Sequence, residues 1–200
     1  MDRTEFEELA LAEMPAVYRF AGFLTRNPTE AADLAQEVYA RAFRPQTVES
    51  FEFTGGGMRP WLFRIARTTY LMRLERVAVE RKAMPRVGRP ESQNDAEAPA
   101  ADSAAGFDWE RVDGRLKSAM DELEPQHREI LMLWGIEGLK YREIAEVLEI
   151  PTGTVMSRLH RARGQVAKRL LADEQTVVEL GLRPMIERER PARGRRRSEA

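Results

Sequence analysis

Cysteine is absent from this chain of 200 residues, and histidine occurs only twice, at His127 and His160. Without cysteine the chain can form no disulfide, no thiol nucleophile and no thiolate zinc site. The two histidines fall in separate predicted helices, which excludes a histidine-rich metal site. The sequence therefore predicts no cofactor, no metal and no catalytic residue.

Long apolar runs are also absent. No stretch of 18 apolar residues occurs, which argues against a transmembrane helix. The acidic start MDRTEFEELA lacks the apolar centre of a signal peptide. We therefore expect a cytoplasmic protein with no membrane insertion. Strand patterns are scarce, whereas apolar spacings of three and four recur, so the sequence predicts an all-α fold.

One segment is too poor in large apolar side chains to form a core. Residues 87–106 contain one branched aliphatic residue and no aromatic residue. This composition predicts a flexible linker, residues 87–107, between two small helical domains. The domains are residues 1–86 and residues 108–172. The arginine-rich residues 173–200 are expected to be a disordered tail.

Local signals predict several helix ends in the first domain. Thr4 and Glu7 match a capping box, Pro15 predicts a break, and Pro28 opens the next helix. A glycine-rich loop then precedes a long amphipathic helix over residues 58–84.

Two short apolar stripes lie close together in the second domain. Residues 141–150 predict a short helix whose apolar side carries Ile144 and Leu148, and Pro151 ends it. The next stretch, GTVMSRLHRAR, predicts a helix with an apolar stripe that begins at Val155 and a basic opposite face. This helix-turn-helix pattern is typical of DNA binding, with the second helix in the major groove.

Side chains of the helix-turn-helix suit particular parts of duplex DNA. Arginine pairs with guanine edges, whereas a helix N-terminus and lysine favour phosphates. The candidates for base or phosphate contact are Ser157, Arg158, His160 and Arg161. The candidates for phosphate contact are Lys140, Arg142 and Thr154. Thr152, which follows Pro151, is predicted to cap the second helix.

A second basic block covers residues 51–86, with three acidic and eight basic residues. Its aromatic residues have two interpretations. At helical spacing they can form a core, and interleaved with arginine they can stack the bases of single-stranded DNA. Combined with a duplex-reading helix, the second interpretation implies strand opening at a fixed distance from a recognised site.

Three stretches resemble one known family: NPTEAADLAQEVYARAF, RPWLFRIARTTYLMRLER and MDELEPQHREILMLWGIEGLKYREIAEVLEIPTGTVMSRLHRAR. They resemble alternative sigma factors of the extracytoplasmic-function (ECF) type, in the sigma-70 family. The similarity covers roughly residues 5–84 and 110–170. It implies a non-enzymatic subunit that binds core RNA polymerase, recognises and melts promoter DNA and directs transcription initiation.

The resemblance also implies site residues. Residues of the region 2-like domain that bind the clamp of the large polymerase subunit would be Asp33, Gln36, Glu37, Tyr39 and Phe43. Residues that bind the minus-ten strand would be Phe53, Arg59, Trp61, Arg64, Arg67, Thr68 and Arg73. The region 4-like helix-turn-helix would read the minus-thirty-five element. The family commonly has Asn at the position of Thr68, so its base preference there does not carry over.

The family usually works with a dedicated anti-sigma factor, so we expect such a partner and a stress or envelope-response regulon. A helix-turn-helix regulator not associated with polymerase is the alternative, but it would need a dimer surface, and no heptad repeat is present. A di-metal helical enzyme would need Glu-x-x-His pairs on facing helices, and none is present.

Overall fold

The computed structural model describes residues 2–49, 51, 57–83 and 114–172. In these ranges all regular structure is helical, which confirms the predicted all-α fold. The predicted linker, the predicted tail and Phe53 lie outside the described residues. The helices are α1 (Arg3–Ala12), α2 (Met14–Thr25), α3 (Pro28–Ala42), α4 (Pro45–Glu49), α5 (Met58–Ala83), α6 (Gly114–Asp121), α7 (Pro125–Gly135), α8 (Tyr141–Leu148) and α9 (Thr152–Ala172).

The helices divide into two compact units. Among described residues, the first unit combines α1 to α5 with the segment Leu133–Val155, which contains α8. The second unit combines α6, the first part of α7 and α9 from Met156 onward. The proposed domains, residues 1–86 and 108–172, remain a prediction. No helix in the described ranges is both long and apolar enough to cross a membrane.

The core of the first unit is built mainly from α2, α3 and α5, which pack against one another. Phe20 and Phe63 are fully buried, and their rings stack with centroids 4.7 Å apart. Other buried side chains of this core are Phe6, Val17, Leu34, Val38 and Leu62. Burial of this apolar area is the main term that favours the folded unit.

The helix ends confirm some predictions and correct another. Pro15 lies in the first turn of α2 and Pro28 begins α3, as predicted. The predicted capping box of Thr4 and Glu7 is wrong. The N-cap of α1 is Asp2, whose carboxylate accepts a hydrogen bond of 2.8 Å from the Glu5 backbone N–H.

The long helix α5 matches the predicted amphipathic helix, but its two halves differ. In the first half, Leu62, Phe63 and Ala66 are buried against the core. From Leu71 onward the apolar side chains of the second half are substantially exposed. Only the first half is therefore held in place by packing in the described structure.

The helix-turn-helix is confirmed. Lys140 is the N-cap of α8, and its backbone N–H donates to the Glu143 carboxylate at 2.7 Å. Glu149 is the C-cap, with a left-handed φ of 55°. Helix α9 follows α8 after three residues. Thr152, predicted to cap α9, is instead its first residue, and the Pro151 carbonyl accepts a hydrogen bond of 2.8 Å from the Thr154 N–H.

The second unit has a smaller apolar core. Its buried members are Ala119, Met120, Leu123, Ala162 and Val166, with Leu116, Leu131 and Leu170 packed against them. The Arg128 guanidinium donates to the carbonyls of Met120, Asp121 and Leu123 at the end of α6. These bonds satisfy carbonyls that a helix terminus leaves without an internal donor.

Candidate nucleic-acid and polymerase interfaces

The outward face of α9 carries most of the residues predicted to bind duplex DNA. Ser157, His160 and Arg161 are exposed, while Thr154 and Arg158 are partly exposed on the flank. The apolar stripe that begins with Val155 and Leu159 is buried, which fixes the direction of this face. The predicted phosphate contacts Lys140 and Arg142 are exposed at the start of α8.

The cations of α9 that are predicted to bind DNA differ from Arg169 near the end of the helix, which pairs with Glu122. Within the part of the chain that the structure describes, Arg158, His160 and Arg161 form no ion pair. An arginine with an unengaged guanidinium can donate two parallel hydrogen bonds to guanine or to a phosphate. The exposed face of α9 is therefore chemically suited to duplex DNA.

The sequence interpretation missed Met156. Its side chain is 47% exposed at the N-terminal end of α9, next to Ser157. An exposed apolar group at this position could contact the methyl group of thymine in a major groove. Helical spacing alone could have found it, because Met156 lies four residues before His160 on the same side of the helix.

The predicted strand-binding residues of α5 differ in how far they are exposed to solvent. Arg64 and Thr68 are exposed and one turn apart, so they point in the same direction. Trp61 is partly buried and makes an edge-to-face contact with Phe51 at 4.8 Å. Arg67 is partly buried as well.

Two of the predicted strand-binding arginines are held by acids of the same chain. The Arg59 guanidinium donates to the Glu13 carboxylate at 2.6 Å. The Arg73 guanidinium donates to the Glu37 carboxylate at 2.8 Å and to the Asp33 carbonyl at 3.1 Å. A DNA strand that used these two arginines would have to compete with those bonds.

The predicted polymerase-binding residues of α3 divide into two groups. Asp33 and Gln36 are exposed and Glu37 is partly exposed, so these polar groups can reach a partner. Tyr39 is buried, and its hydroxyl donates to the Ala10 carbonyl at 2.9 Å. Burial raises the pKa of Tyr39. Phe43 is partly buried against Phe6, with ring centroids 6.4 Å apart.

Glu37 connects the two predicted surfaces of the first unit. Its carboxylate accepts hydrogen bonds from Arg41 on its own helix and from Arg73 on α5. Partial burial raises the pKa of Glu37, but the hydrogen bonds from Arg73 and Arg41 outweigh it and leave the pKa below the ordinary value. The carboxylate is therefore charged at neutral pH.

One further ion pair of the first unit was not predicted from the sequence. The Arg19 guanidinium of α2 makes two bonds to the Glu137 carboxylate, at 3.0 and 2.9 Å. The Glu137 side chain is fully buried. The two residues are 118 positions apart, so no local pattern could predict their contact.

Comparison with known families and proteins agrees with this geometry. The family model described as Sigma-70 region 2 matches residues 9–78, and the one described as Sigma-70, region 4 matches residues 113–166. The ECF RNA polymerase sigma factor EcfG of Rhodopseudomonas palustris is 30% identical over 163 residues. That match covers 82% of this chain and 83% of EcfG. This chain belongs to the ECF sigma factor family.

Another relative of this sigma factor is SigE of Mycolicibacterium smegmatis, an ECF RNA polymerase sigma factor. It is 36% identical over 166 residues, which are 80% of this chain and 60% of SigE. The chain thus spans about three fifths of the length of that relative. Family membership makes the chain a transcription initiation factor and excludes the alternative of a regulator unrelated to polymerase.

Solved structures have the same fold as this sigma factor. The sigma factor RpoE of Bartonella quintana, crystallised with the anti-sigma factor NepR, gives a TM-score of 0.63 at 26% identity. The match covers 85% of this chain and 99% of RpoE. CnrH, solved with the cytosolic domain of CnrY, gives a TM-score of 0.55 at 21% identity and shows the fold alone.

Proposed function

We propose that this ECF sigma factor binds core RNA polymerase in the cytoplasm, reads the minus-thirty-five element with α9 and captures the minus-ten strand with α5. The observation that carries the proposal is the exposed basic face of α9, whose Arg158 and Arg161 form no ion pair among the described residues. A helix that presents unengaged guanidinium groups beside short hydroxyl side chains matches the donor and acceptor pattern of a major groove.

The minus-thirty-five element is the proposed target of the helix-turn-helix. Ser157, Arg158, His160 and Arg161 provide the candidate base or phosphate contacts, and Met156 adds an apolar contact. Lys140, Arg142 and Thr154 hold neighbouring phosphates. Phosphate contacts set the register and base contacts give the specificity.

The minus-ten strand is the proposed target of α5. Arg64 and Thr68 are the exposed pair on one side of this helix. The other candidates on this helix are Arg59, Trp61, Arg67 and Arg73, and Phe53 is a candidate from the sequence alone. Arginine and aromatic groups together support single-strand binding through charge and base stacking.

The polymerase clamp is the proposed target of α3. The exposed Asp33 and Gln36 and the partly exposed Glu37 provide the polar contacts. Tyr39 and Phe43 support this face from the interior, since Tyr39 is hydrogen bonded within the core and Phe43 packs on Phe6.

An anti-sigma factor is the proposed regulator of this chain, and a stress or envelope response is the proposed regulon. The support is that the similar sigma factor of Bartonella quintana was solved with the anti-sigma factor NepR. A sigma factor that is always free would compete for core polymerase, so restraint by a partner fits the proposed role.

The test separates polymerase binding from duplex binding. The double substitution Gln36→Ala and Glu37→Ala is expected to abolish capture of core polymerase and to leave binding of a minus-thirty-five duplex unchanged. Arg161→Ala is expected to have the opposite pattern. Capture measured on immobilised core and duplex affinity measured by fluorescence anisotropy give the two readouts. Loss of core capture by Arg161→Ala would refute the assignment of the two surfaces.

A further inference from the structure

Glu75 is an exposed residue of α5 that the proposed function does not use. Helix α5 contains two acidic residues, Glu75 and Glu80. Glu80 pairs with Arg76, whereas Glu75 forms no ion pair with any residue that the structure describes. The neighbouring cation Arg73 is held by Glu37. The oxygens of Glu75 are therefore available to accept hydrogen bonds from a ligand.

Glu75 lies on the same side of α5 as the exposed pair of proposed strand-binding residues. Along this side, successive exposed residues are four, three and four positions apart, which places them in one row on a helix. The residues at this spacing are Arg64, Thr68, Leu71 and Glu75. At about 1.5 Å per residue, Glu75 is about 10 Å further along the helix axis than Thr68. A DNA strand that follows α5 from Arg64 past Thr68 therefore reaches Glu75.

Apolar side chains flank Glu75 on both sides along the helix. Leu71 and Met72, one turn earlier, are 44% and 45% exposed, and Val79, one turn later, is 59% exposed. Single exposed apolar side chains are common on protein surfaces, whereas a group of neighbours marks an interaction site. These three residues and Glu75 form the Glu75 patch, an apolar surface with one carboxylate at its centre.

The chemistry of the Glu75 patch suits a base of the strand and not its backbone. A carboxylate repels a phosphate, and aliphatic side chains offer a phosphate no hydrogen bond. An unpaired base has a flat face that packs on apolar side chains and an edge that carries hydrogen-bonding groups. Because the patch continues the exposed row of Arg64 and Thr68, a base of the strand on that row is its best-matched occupant.

The carboxylate also selects among the four bases. Carboxylate oxygens accept hydrogen bonds and donate none. Only guanine has two adjacent donors on its Watson–Crick edge, the N1–H and the 2-amino group, and two parallel donors match the two oxygens of a carboxylate. Adenine, cytosine and thymine each place an acceptor beside their donor on this edge, and that acceptor would face a carboxylate oxygen. The patch therefore fits guanine.

We propose that Glu75 is a specificity-determining residue that binds one unpaired guanine of the minus-ten strand, with its carboxylate on the Watson–Crick edge and Leu71 against the face of the base. This inference rests on the proposed function, because the strand must first follow the exposed side of α5. In a duplex the same edge of guanine is paired with cytosine. The contact forms only after the strands separate, so it favours the melted promoter.

The test measures base preference along the minus-ten strand. Full-length sigma factor bound to core RNA polymerase is titrated with labelled single-stranded oligonucleotides in which each position carries each of the four bases in turn. Fluorescence anisotropy should show one position at which guanine binds about tenfold more tightly than the other bases. Inosine, which lacks the 2-amino group, should weaken binding at that position. The analogue 7-deazaguanine keeps the Watson–Crick edge and should bind like guanine.

Two pairs of substitutions identify the side chains that bind the guanine. Glu75→Gln keeps the size of the side chain but replaces one acceptor by a donor, so the guanine preference should disappear. Glu80→Gln, which changes the other acid of α5, is the matched control and should keep the preference. Leu71→Ala should weaken binding of the guanine oligonucleotide about threefold. Val77→Ala should not, since Val77 is also 44% exposed but points to the opposite side of the helix from Glu75.

The outcomes separate the guanine contact from the proposed function. Equal affinity for the four bases at every position, or a guanine preference that survives in Glu75→Gln, would overturn the contact while strand binding itself is retained. Strand binding that neither Glu75→Gln nor Leu71→Ala changes would also overturn it and would leave a protein partner as the occupant of the patch. Failure of the wild-type complex to bind any of the oligonucleotides would instead refute the proposed strand-binding role of α5, and the contact with it.

Discussion

Helices α5 and α9 are both basic, but several cations of α5 are held by acids, whereas two proposed DNA contacts of α9 are not. On α5, Arg59, Arg73 and Arg76 each form an ion pair with an acid of the first unit. On α9, Arg158 and Arg161 form no ion pair among the described residues. Net charge alone therefore does not show which helix is ready to bind DNA. The position of neighbouring acids decides whether a cation is available or must first be released.

The difference fits the two proposed targets. A duplex is present before initiation, so a reader such as α9 gains from cations that are always available. A single strand exists only after melting, so α5 can keep Arg59 and Arg73 engaged until that step. The comparison leads to four predictions, from the largest expected effect to the smallest.

Replacement of a buried aromatic residue of α5 should lower the stability of the fold, because this residue belongs to the core and not to the DNA-binding surface. Phe63 is fully buried and stacks on Phe20, so Phe63→Ala should lower the free energy of unfolding by about 3–5 kcal/mol. Urea unfolding followed by circular dichroism measures this change. Met72→Ala, at a position that is 45% exposed, is the control with a small effect. If Phe63→Ala had normal stability and bound the DNA strand weakly, the prediction would be wrong and Phe63 would stack on bases of the strand.

Loss of an available cation of α9 should weaken duplex binding directly. Arg161→Ala should cost about 1–3 kcal/mol of affinity for the minus-thirty-five duplex, because no internal bond compensates for the lost contact. Fluorescence anisotropy at one fixed salt concentration gives the value. Lys168→Ala removes an exposed cation further along α9 and should cost much less. Equal losses in the two variants would indicate a diffuse electrostatic surface instead of a base-reading one.

Release of an engaged cation of α5 should strengthen single-strand binding. Glu37→Gln removes the charge that holds Arg73, so the freed guanidinium can bind a phosphate. The slope of log affinity against log salt for a minus-ten oligonucleotide should steepen by about 0.7. Glu80→Gln, in the exposed pair with Arg76, is the matched control and should change the slope less. An unchanged slope in Glu37→Gln would show that Arg73 does not contact the strand.

The ion pairs of Glu37 with Arg41 and Arg73 should also give the fold a small pH dependence of stability. Its pKa is lowered in the folded protein from the unperturbed value of 4.5. A lowered pKa stabilises the fold above pH 4.5, and this contribution is lost as the pH falls through the folded value. Because the pair is about one third exposed, we expect under about 1 kcal/mol. Thermal unfolding between pH 6 and pH 3 should show a shallower decline for Glu37→Gln than for the wild type.

Much of the fold could be predicted because it depends on local patterns. The apolar stripe of α9 and the proline signals at Pro15 and Pro28 each involve residues within a turn or two of one another. The capping prediction at Thr4 failed because Asp2 offers a competing carboxylate one turn from the Glu5 N–H. Local sequence shows that a residue able to cap the helix is present, but it does not show which of two such residues, Asp2 or Thr4, is the N-cap.

The arrangement of the sites was harder to predict, because it depends on contacts between distant residues. Glu37 and Arg73 were assigned to different partners, yet they form one ion pair across two helices. Tyr39 was expected to bind polymerase, but its hydroxyl donates to a carbonyl 29 residues away. The Arg19–Glu137 pair joins two segments with no shared motif. A single sequence contains no signal for such pairings.

Promoter melting tests the central proposal most directly. Core RNA polymerase, the full-length sigma factor and DNA from upstream of its own gene would be combined and treated with permanganate, which modifies unpaired thymines. The account predicts reactive thymines in the minus-ten region only when sigma factor and core are both present. Retained duplex binding by the sigma factor with no capture of core and no reactive thymine would contradict it.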